Sequence, residues 1–392
     1  MRLAANAALP PAGPARRALI LDDHSYTAVQ VCRQLAKKGY AVEAFADSSA
    51  PVFASQYCHR KIFSGANDPG DALLLEKLAE PNSYDVIYLC SEHLLNKITQ
   101  HIGHSGPWKG LLLSEPALLQ RLLAKSSVIR LVGEAGIPIP KTLFPASESE
   151  METLGRTLNF PCVIKGEGGE SSRTIRIVKS QGEMQASYRE VLHGGNSGAA
   201  GMPYLQEFLT GPTYSVGGLF QNGKAIRMCA VRMALMEPYK AGLMVKGVTE
   251  RPAKLIENAQ RVFETLNYTG YGDADFVLDS RDGQFKFLEV NPEVWANIGV
   301  VEHAAVDFHG PYHAMARGES VAPDLAFREG VPFYRVAKRV LSTLKRPWLG
   351  MGLVRDFLNA SVHSDWDGTD LKPDIHLLMN SVRRRSRALT ET

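Results

Sequence analysis

The sequence predicts an α/β protein whose first domain contains a parallel sheet. The segment RALILDDHSYTAVQVCRQLAKKGYAVEAFA, which begins at Arg17, contains an apolar run, a helical stretch and a second apolar run. The helical stretch places Val29, Cys32 and Leu35 on one face and stops at Gly39. A later run, YDVIYLC, has the composition of another buried strand. This order of strands and helices is typical of a parallel sheet covered by helices.

The first strand is not followed by the glycine pattern of dinucleotide-binding domains. The residues DDHSY stand there, so the sequence disfavours a Rossmann oxidoreductase. Asp22, Asp23 and His24 are candidates for lining a substrate crevice at the carboxyl end of this strand. Solvated loop residues are the favoured interpretation of these three side chains.

The composition predicts a cytoplasmic enzyme-sized protein. The net charge of +3 gives no overall field that would favour nucleic acid as a partner. The five cysteines are scattered without CxxC spacing, which indicates neither a zinc site nor a disulfide framework. No apolar run is long enough to span a bilayer, and we expect the Ala- and Pro-rich residues 1–17 to be a disordered lead-in.

A hairpin in the second half of the chain places two acids opposite each other. Two strand-like runs flank SRDGQ, whose Asp-Gly pair is a strong turn signal. If Asp279 faces Phe285, the paired numbers sum to 564, so Asp275 faces Glu289 and Asn291 follows on the same face. Opposed carboxylates repel by about 4 kcal/mol at about 4 Å and an effective dielectric near 20. One interpretation is a Mg²⁺ site, because two carboxylates and an amide oxygen are suitable ligands for this ion. The alternative is that these side chains form a solvated polar face of the hairpin.

A second segment has the pattern of a strand, a small-residue loop and another strand. In FPCVIKGEGGESSRTIRIVKS the first strand ends at Lys165, and the P-loop pattern is absent. A glycine-rich hairpin that covers phosphates is one interpretation, because its backbone N–H groups can approach an anion closely. A surface hairpin with a structural lysine is equally compatible with this motif alone.

The order of these elements resembles the ATP-grasp superfamily. The resemblance rests on a lysine about three helical turns before GIPIPKT, on FPCVIK, on YLQEFLTGPTYSV and on DADFVLD with FKFLEVNPE. FLEVNP, followed by a tryptophan and VDFHGPYHAMARGE, is similar to the branch of carboxylate–amine ligases whose motif reads NPRFWGS. The resemblance implies a Rossmann-like parallel-sheet domain followed by a two-subdomain α+β ATP-grasp domain. Its predicted boundaries are 18–110 for the first domain, 111–205 and 206–320 for the two subdomains, and 321–392 for a helical extension.

The resemblance also implies ATP and Mg²⁺ as cofactors and specific roles for individual residues. Two lysines would hold the ATP phosphates, a loop of small residues would close over them, a linker would contact adenine, and three residues would bind the metal. The two lysines are Lys125 and Lys165, and the loop residues are Gly168, Gly169, Ser171 and Ser172. The linker residues are Gln206, Glu207, Phe208 and Leu209, and the metal ligands are Asp275, Glu289 and Asn291. The implied reaction joins a small-molecule carboxylate to an amine through an acyl phosphate, with release of ADP and phosphate.

The chain departs from the family pattern at Glu293, at Thr213 and in the phosphate loop, which has serines where glycines are common. Glu293 stands where the family usually has an arginine, and Thr213 stands where many relatives have an acid that binds ribose. Either Arg232 or Lys246 supplies the missing positive charge, or Glu293 indicates a changed substrate or weakened chemistry. A nucleotide-binding protein that no longer ligates is therefore the second hypothesis.

The C-terminal extension has a basic helical pattern. VPFYRVAKRVLSTLKRPWLGMGLVRDFLNA is broken at Pro347, and the run Arg383–Arg387 is expected to be solvated and mobile. A basic amphipathic helix can lie on an anionic membrane, but packing against the rest of the protein is the favoured interpretation. A homodimer is the default expectation for the oligomeric state.

Overall fold

The computed structural model describes residues 16–64, 71–79, 83–105, 108–167, 175–194, 201–237 and 242–380. The predicted phosphate loop, with Gly168, Gly169, Ser171 and Ser172, lies outside these ranges, as do the run Arg383–Arg387 and nearly all of the predicted lead-in.

The N-terminal domain contains the predicted parallel sheet. Its four strands lie in the order β3-β2-β1-β4, and every pairing is parallel. Helices cover the sheet, which explains why the strand sequences are almost continuously apolar. The elements are β1 (Arg17–Leu21), α1 (Thr27–Lys37), β2 (Ala41–Ala46), β3 (Cys58–Phe63), α2 (Ala72–Ala79), β4 (Val86–Leu89) and α3 (Glu92–Ser105).

The next part of the chain forms a small α+β unit with its own core. Its antiparallel strands lie in the order β5-β8-β6-β7, and β6 and β7 are the two predicted strands on either side of the small-residue loop. The elements are α4 (Pro116–Leu123), α5 (Lys125–Glu134), β5 (Thr142–Leu143), α6 (Glu148–Gly155), β6 (Cys162–Lys165), β7 (Ile175–Val178), α7 (Gln181–Gly194) and β8 (Tyr204–Glu207).

A seven-stranded sheet follows, with the order β13-β12-β9-β10-β11-β14-β15. The predicted Asn-Gly turn joins β9 to β10, and both Asn222 and Gly223 have positive φ, as tight hairpin turns require. The elements are β9 (Thr213–Gln221), β10 (Lys224–Glu237), β11 (Leu243–Thr249), α8 (Ala253–Leu266), β12 (Gly270–Leu278), β13 (Phe285–Asn291), α9 (His309–Ala316), β14 (Pro332–Tyr334) and β15 (His363–Ser364).

The two faces of the seven-stranded sheet have different neighbours. Tyr214, Phe276 and Phe287 point to one face and join an apolar cluster with residues of α8. The alternate residues point to the other face, where Val231 and Trp295 share a cluster with residues of the N-terminal domain. This second face therefore packs against the N-terminal domain.

The C-terminal extension is not purely helical, because β14 and β15 add two strands to the seven-stranded sheet. Its helices are α10 (Val336–Lys345) and α11 (Gly350–Leu358), and residues 372–380 are also helical. The extension packs onto the N-terminal domain, where buried Arg33 donates to Asp370 Oδ2 at 2.9 Å and to Asp374 Oδ2 at 3.0 Å. Within the described ranges, no helix is both long and apolar enough to cross a bilayer.

Candidate functional site

The β12–β13 hairpin contains the two opposed acids that the sequence predicts. Asp275 lies opposite Glu289, and Asp273 lies opposite Asn291. The expected starting pair is wrong, because Phe285 faces Leu278 instead of Asp279. A β-bulge between Asp275 and Phe276 leaves Leu288 without its own partner and shifts the register by one residue. The pair next to the turn differs by one residue from the prediction, and the bulge shifts the pairing by one residue in the opposite direction. The predicted pairing of Asp275 with Glu289 is therefore found.

Lys125 and Lys165 lie beside these acids. Lys125 is the first residue of α5, which packs on β13, and its Nζ atom is 3.7 Å from Glu289 Oε2. Lys165 is the last residue of β6, and it interacts electrostatically with Glu289 and Asp275. Side chains from three separate segments thus meet at one place.

The ionisation of this cluster follows from burial and mutual charge. Burial alone disfavours the charged form of Lys125, but nearby carboxylates, above all Glu289, raise its pKa. Burial works against the charged form of Glu289, yet the two lysines lower its pKa. Burial lowers the pKa of Lys165, and the positive charge of Lys125 adds to that effect. Glu289 is thus an ionised carboxylate that two buried ammonium groups hold in place.

One carboxylate oxygen of Asp275 is buried without a hydrogen-bond partner. The residue is half-buried, but its Oδ1 atom is inaccessible to solvent and accepts no hydrogen bond. Burial, followed by the charges of Asp273 and Glu289, raises the pKa of this carboxyl well above its usual range. An orphaned carboxylate oxygen beside a second carboxylate and an amide is the donor chemistry that Mg²⁺ takes in proteins, so the residues fit this ion. Among the described residues, no group of three or more His, Cys, Asp and Glu side chains has metal-binding geometry.

A hydrogen-bonded layer supports the hairpin acids from beneath. Trp295 Nε1 donates to Ser215 Oγ at 2.7 Å, and Ser215 Oγ donates to Asp273 Oδ2 at 3.2 Å. Asn291 Nδ2 donates to the same carboxylate oxygen at 3.3 Å, so its amide oxygen is directed away from Asp273. A Cβ on Gly217 would lie 2.1 Å from Trp295 Cδ2, so only glycine leaves room for the indole ring. The sequence did not predict Ser215 and Asp273 as site residues. Asp273 could have been found, because it lies two residues before Asp275 and thus on the same face of the strand.

Two further acids, Glu92 and Glu167, contribute to the field around Lys125 and were also missed. Glu167 Oε1 accepts from the backbone N–H of Ser126 at 3.2 Å, in the first turn of α5. Burial raises the pKa of Glu92, while Lys125 opposes that shift. No short pattern marks either residue, since both reach the cluster only through the tertiary fold.

The predicted linker lies at the end of β8, next to the small unit. Gln206 is buried, and its Nε2 atom donates to Thr142 Oγ1 at 3.0 Å. Glu207 Oε1 accepts from the backbone N–H of Lys141 at 2.8 Å, and its other oxygen accepts from Arg281 at 2.8 Å. Phe208 and Leu209, which follow, are half-buried. The linker is thus anchored on both sides.

The structure does not bring Arg232 to the acids. Arg232 is in register with Tyr214 and Phe276, so its side chain lies on the other face of the sheet from that of Asp275. There its Nε atom pairs with Glu250 at 2.6 Å. Lys246 is occupied by Asp356 of α11, with its Nζ atom 2.5 Å from Oδ1. Both expected cations therefore pair with other carboxylates. Arg232 cannot reach the site, because its side chain lies on the other face of the sheet.

Two buried arginines at the start of α10 were missed by the sequence reasoning. Arg335 is 2% exposed and Arg339 is 4% exposed, and the Nε and Nη1 atoms of both donate to no hydrogen-bond acceptor. The Arg335 guanidinium lies 5.9 Å from the ring centroid of Tyr26, which belongs to the loop after β1. Buried unsatisfied guanidinium N–H groups are costly, and an anion would satisfy them.

The N-terminal domain reaches the site through the loop after β1. The backbone N–H of Val294 donates to Leu89 O at 2.9 Å, which places Glu293 at the end of β4. The charges of Asp22 and Glu293 both act on the buried thiol of Cys90, so these two acids are near each other. Asp22 is buried with an unpartnered Oδ1, contrary to the favoured solvated interpretation, whereas the side chain of His24 is half exposed.

Comparisons with known proteins agree with this geometry. Residues 124–296 match a protein family described as "ATP-grasp domain". Biotin carboxylase of Nostoc sp. is 26% identical over 260 residues, which cover 59% of this chain and 51% of that protein. Pyruvate carboxylase of Aspergillus niger is 22% identical over 196 residues, which cover 48% of this chain and 16% of that protein. The chain thus spans about half the length of the first of these relatives and much less of the second.

Solved structures with a similar fold include several nucleotide complexes. A biotin carboxylase–βγ-ATP complex from Campylobacter jejuni has a TM-score of 0.63 at 15% identity, covering 80% of this chain and 74% of that one. N5-carboxyaminoimidazole synthetase from Staphylococcus aureus, complexed with ADP, has a TM-score of 0.62 at 14% identity, covering 81% of each chain. An L-amino acid ligase from Bacillus licheniformis has a TM-score of 0.56 at 13% identity, covering 76% of this chain and 73% of that one.

Proposed function

We propose that the protein is an ATP-dependent ligase that joins a carboxylate to an amine, because residues 124–296 match a family described as "ATP-grasp domain". The observation that carries the proposal is the meeting of two lysines and two opposed carboxylates at the β12–β13 hairpin, with Asp275 Oδ1 unsatisfied. The lysines act on Glu289 but leave Asp275 Oδ1 unsatisfied, so the arrangement fits a site that a metal–nucleotide complex completes.

The phosphates of ATP would be held from two sides. Lys125 presents its ammonium group from α5, and Lys165 presents its own from β6, so a phosphate between them is bound by two buried positive charges. Asp275, Glu289 and Asn291 would bind Mg²⁺, which when bound neutralises phosphate charge as the γ-phosphoryl group is transferred. Gln206 to Leu209 would border the adenine ring, because β8 ends there beside β6.

The chemistry needs ATP because a carboxylate oxygen is a poor leaving group. A carboxylate oxygen of the substrate attacks the γ-phosphorus, the bond from that phosphorus to the ADP oxygen breaks, and an acyl phosphate forms. The amine then attacks the acyl carbon, phosphate leaves, and the amine loses a proton to give the amide. The protein contributes mainly positioning and charge stabilisation.

The substrate carboxylate needs a cation, and we assign this role to Arg335. Glu293 cannot supply one, Arg232 faces away, and Lys246 is bound to Asp356. Arg335 has two unsatisfied guanidinium nitrogens and faces the loop after β1. Arg335→Lys is expected to raise KM for the carboxylate, because a lysine cannot make the bidentate contact.

The test combines ligand binding with turnover. Mg²⁺ and ATP together at 100 times the dissociation constant should stabilise the protein by about 2.7 kcal/mol. Glu289→Gln should abolish this stabilisation, while the control Glu257→Gln, an exposed carboxylate on α8, should retain it. An equal thermal shift in both variants would refute the metal–nucleotide site.

A second function, nucleotide binding without ligation, is favoured by Glu293. Its negative charge lies where the resembling family has an arginine, and it acts on Lys125. ADP release, measured over a panel of carboxylates and amines, separates the two functions. ATP binding with no release across the panel would favour the second, whereas carboxylate-dependent release that Glu289→Gln removes would favour the ligase.

A further inference from the structure

The end of α10, the turn after it and α11 expose an unusual apolar surface. Six large apolar side chains within residues 344–358 are more than half exposed, and we call them the 344–358 patch. They are Leu344 (63%), Trp348 (74%), Met351 (85%), Val354 (58%), Phe357 (68%) and Leu358 (76%). Apolar surface of this extent is rare on a soluble monomer and usually marks an interaction site.

The orientation of α11 is fixed by its polar side. Asp356, 2% exposed, accepts from Lys246 Nζ at 2.5 Å and lies 3.5 Å from Arg339 Nη2. Met351, Val354 and Leu358 share the opposite side of the helix at the helical spacing. The helix therefore buries its acid and presents its apolar side outward, the reverse of an ordinary surface helix.

The charge around the patch is predominantly positive. Residues 344–358 contain Lys345, Arg346 and Arg355, and the only acid in the stretch is the buried Asp356. Lys345 and Arg346 share a single carboxylate, Glu237, at 2.8 and 3.5 Å. Arg355 is exposed, and no described carboxylate pairs with it. The exposed rim is thus cationic around an apolar centre that includes a tryptophan.

We propose that the 344–358 patch lies on the surface of an anionic lipid bilayer. An apolar face with a cationic rim inserts into the headgroup region, where apolar area is buried and positive charge meets anionic lipid. Tryptophan favours this interfacial depth. No described helix can span a bilayer, so the contact is peripheral.

A second copy of the chain is the less favourable occupant. A two-fold contact through the same patch would bring each cationic rim against its own copy, and like charges at a protein interface oppose association. An anionic membrane instead offers opposite charge to the same rim. The proposal goes beyond the ligase function and does not depend on it.

Vesicle binding of the full chain tests this assignment. The protein should float with vesicles rich in the anionic lipid phosphatidylglycerol and should remain free with phosphatidylcholine alone. The double variant Trp348→Ser, Phe357→Ser should reduce partitioning at least about tenfold, because the buried apolar area scales the affinity. Ile375→Ser, at an apolar residue outside the patch that is 51% exposed, is the control and should leave partitioning unchanged. Unchanged melting temperatures establish that each variant is folded.

Tryptophan fluorescence locates the contact. Trp108 and Trp295 are buried, so Trp348 and Trp366 are the exposed tryptophans of the described chain. A vesicle-induced blue shift should disappear in Trp348→Phe and persist in Trp366→Phe.

Three results would overturn the proposal. One is equal flotation of the wild type and the double variant. Another is loss of binding when only Arg383, Arg384, Arg385 and Arg387 are changed to glutamine, which would assign binding to the tail. The third is a concentration-dependent dimer that the double variant abolishes, with no vesicle binding, which would assign the patch to a second copy.

Discussion

Two buried histidines of α9 should make the protein lose stability steeply in mild acid. Tyr88 Oη is bonded to His309 Nδ1 at 2.7 Å and to His313 Nε2 at 2.8 Å, and His309 Nε2 is bonded to Gln34 Oε1 at 2.8 Å. Burial lowers the pKa of His309 from 6.5 to about 3 and that of His313 to about 4. Both imidazoles are therefore neutral in the folded protein throughout the range in which they become charged in the unfolded chain.

The size of the effect follows from proton linkage. Since the folded pKa values are depressed, the stabilisation is present above pH 6.5 and is lost as the pH falls towards 4 and then 3. Near pH 5 the unfolded chain binds about one proton more per histidine, which gives a slope of about 1.4 kcal/mol per pH unit for each. Between pH 7 and pH 5 the pair should therefore remove about 4 kcal/mol from the free energy of unfolding.

Urea unfolding at intervals from pH 7 to pH 5 measures this slope. His309→Gln should reduce the slope at pH 5 by about 1.4 kcal/mol per unit, while lowering stability at pH 7 through its altered hydrogen bonds. Gln100→Ala, at an exposed side chain of α3, changes no ionisable group; it is the control and should leave the slope unchanged. Identical slopes for wild type and His309→Gln would refute the reasoning, because they would mean that His309 takes up its proton in the folded state.

Three further substitutions test the site and its support. Asp275→Asn should leave the melting temperature unchanged or raised, because it removes a buried, unsatisfied carboxylate, yet it should lower ADP release by roughly 100-fold or more; retained turnover would contradict a ligand role. Gly217→Ala should cost about 1–3 kcal/mol in urea unfolding, because its Cβ would meet the Trp295 ring, and an unchanged midpoint would show that the ring can move. Arg33→Met should cost about 3–5 kcal/mol, because it leaves Asp370 and Asp374 buried without their cation. Lys254→Met, which breaks an exposed pair, is its control and should give no measurable change.

Local chemistry explains how much of the fold was predictable. The Asp-Gly and Asn-Gly turns fix two hairpins within a few residues, and the apolar runs of β1 and β4 identify a buried parallel sheet. Lys165 could be placed because its strand runs directly into a small-residue loop. The opposed pair of Asp275 and Glu289 was correct only because the Leu288 bulge offset an error of one residue at the turn.

The remaining site residues depend on contacts that no local pattern encodes. Arg232 was misplaced because the register between β9 and β12 decides which face it takes, and a single sequence does not show that register. Arg335 follows a short strand some forty positions after the hairpin, and the pairing of β14 with β11 fixes its place in the fold. Ser215 and Trp295 meet Asp273 across two strands in the same way.

The support beneath the hairpin shows why these distant contacts are needed. Two carboxylates held opposite each other repel in the absence of a cation, so the backbone alone would not keep Asp275 and Glu289 aligned. The chain of hydrogen bonds from Trp295 through Ser215 to Asp273 fixes β12 against β9, and Asn291 ties β13 to the same carboxylate. Lys125 then holds Glu289 from the side of α5. Three separate segments therefore keep the two acids in place, and a bound cation would satisfy Asp275 Oδ1 without moving the strands.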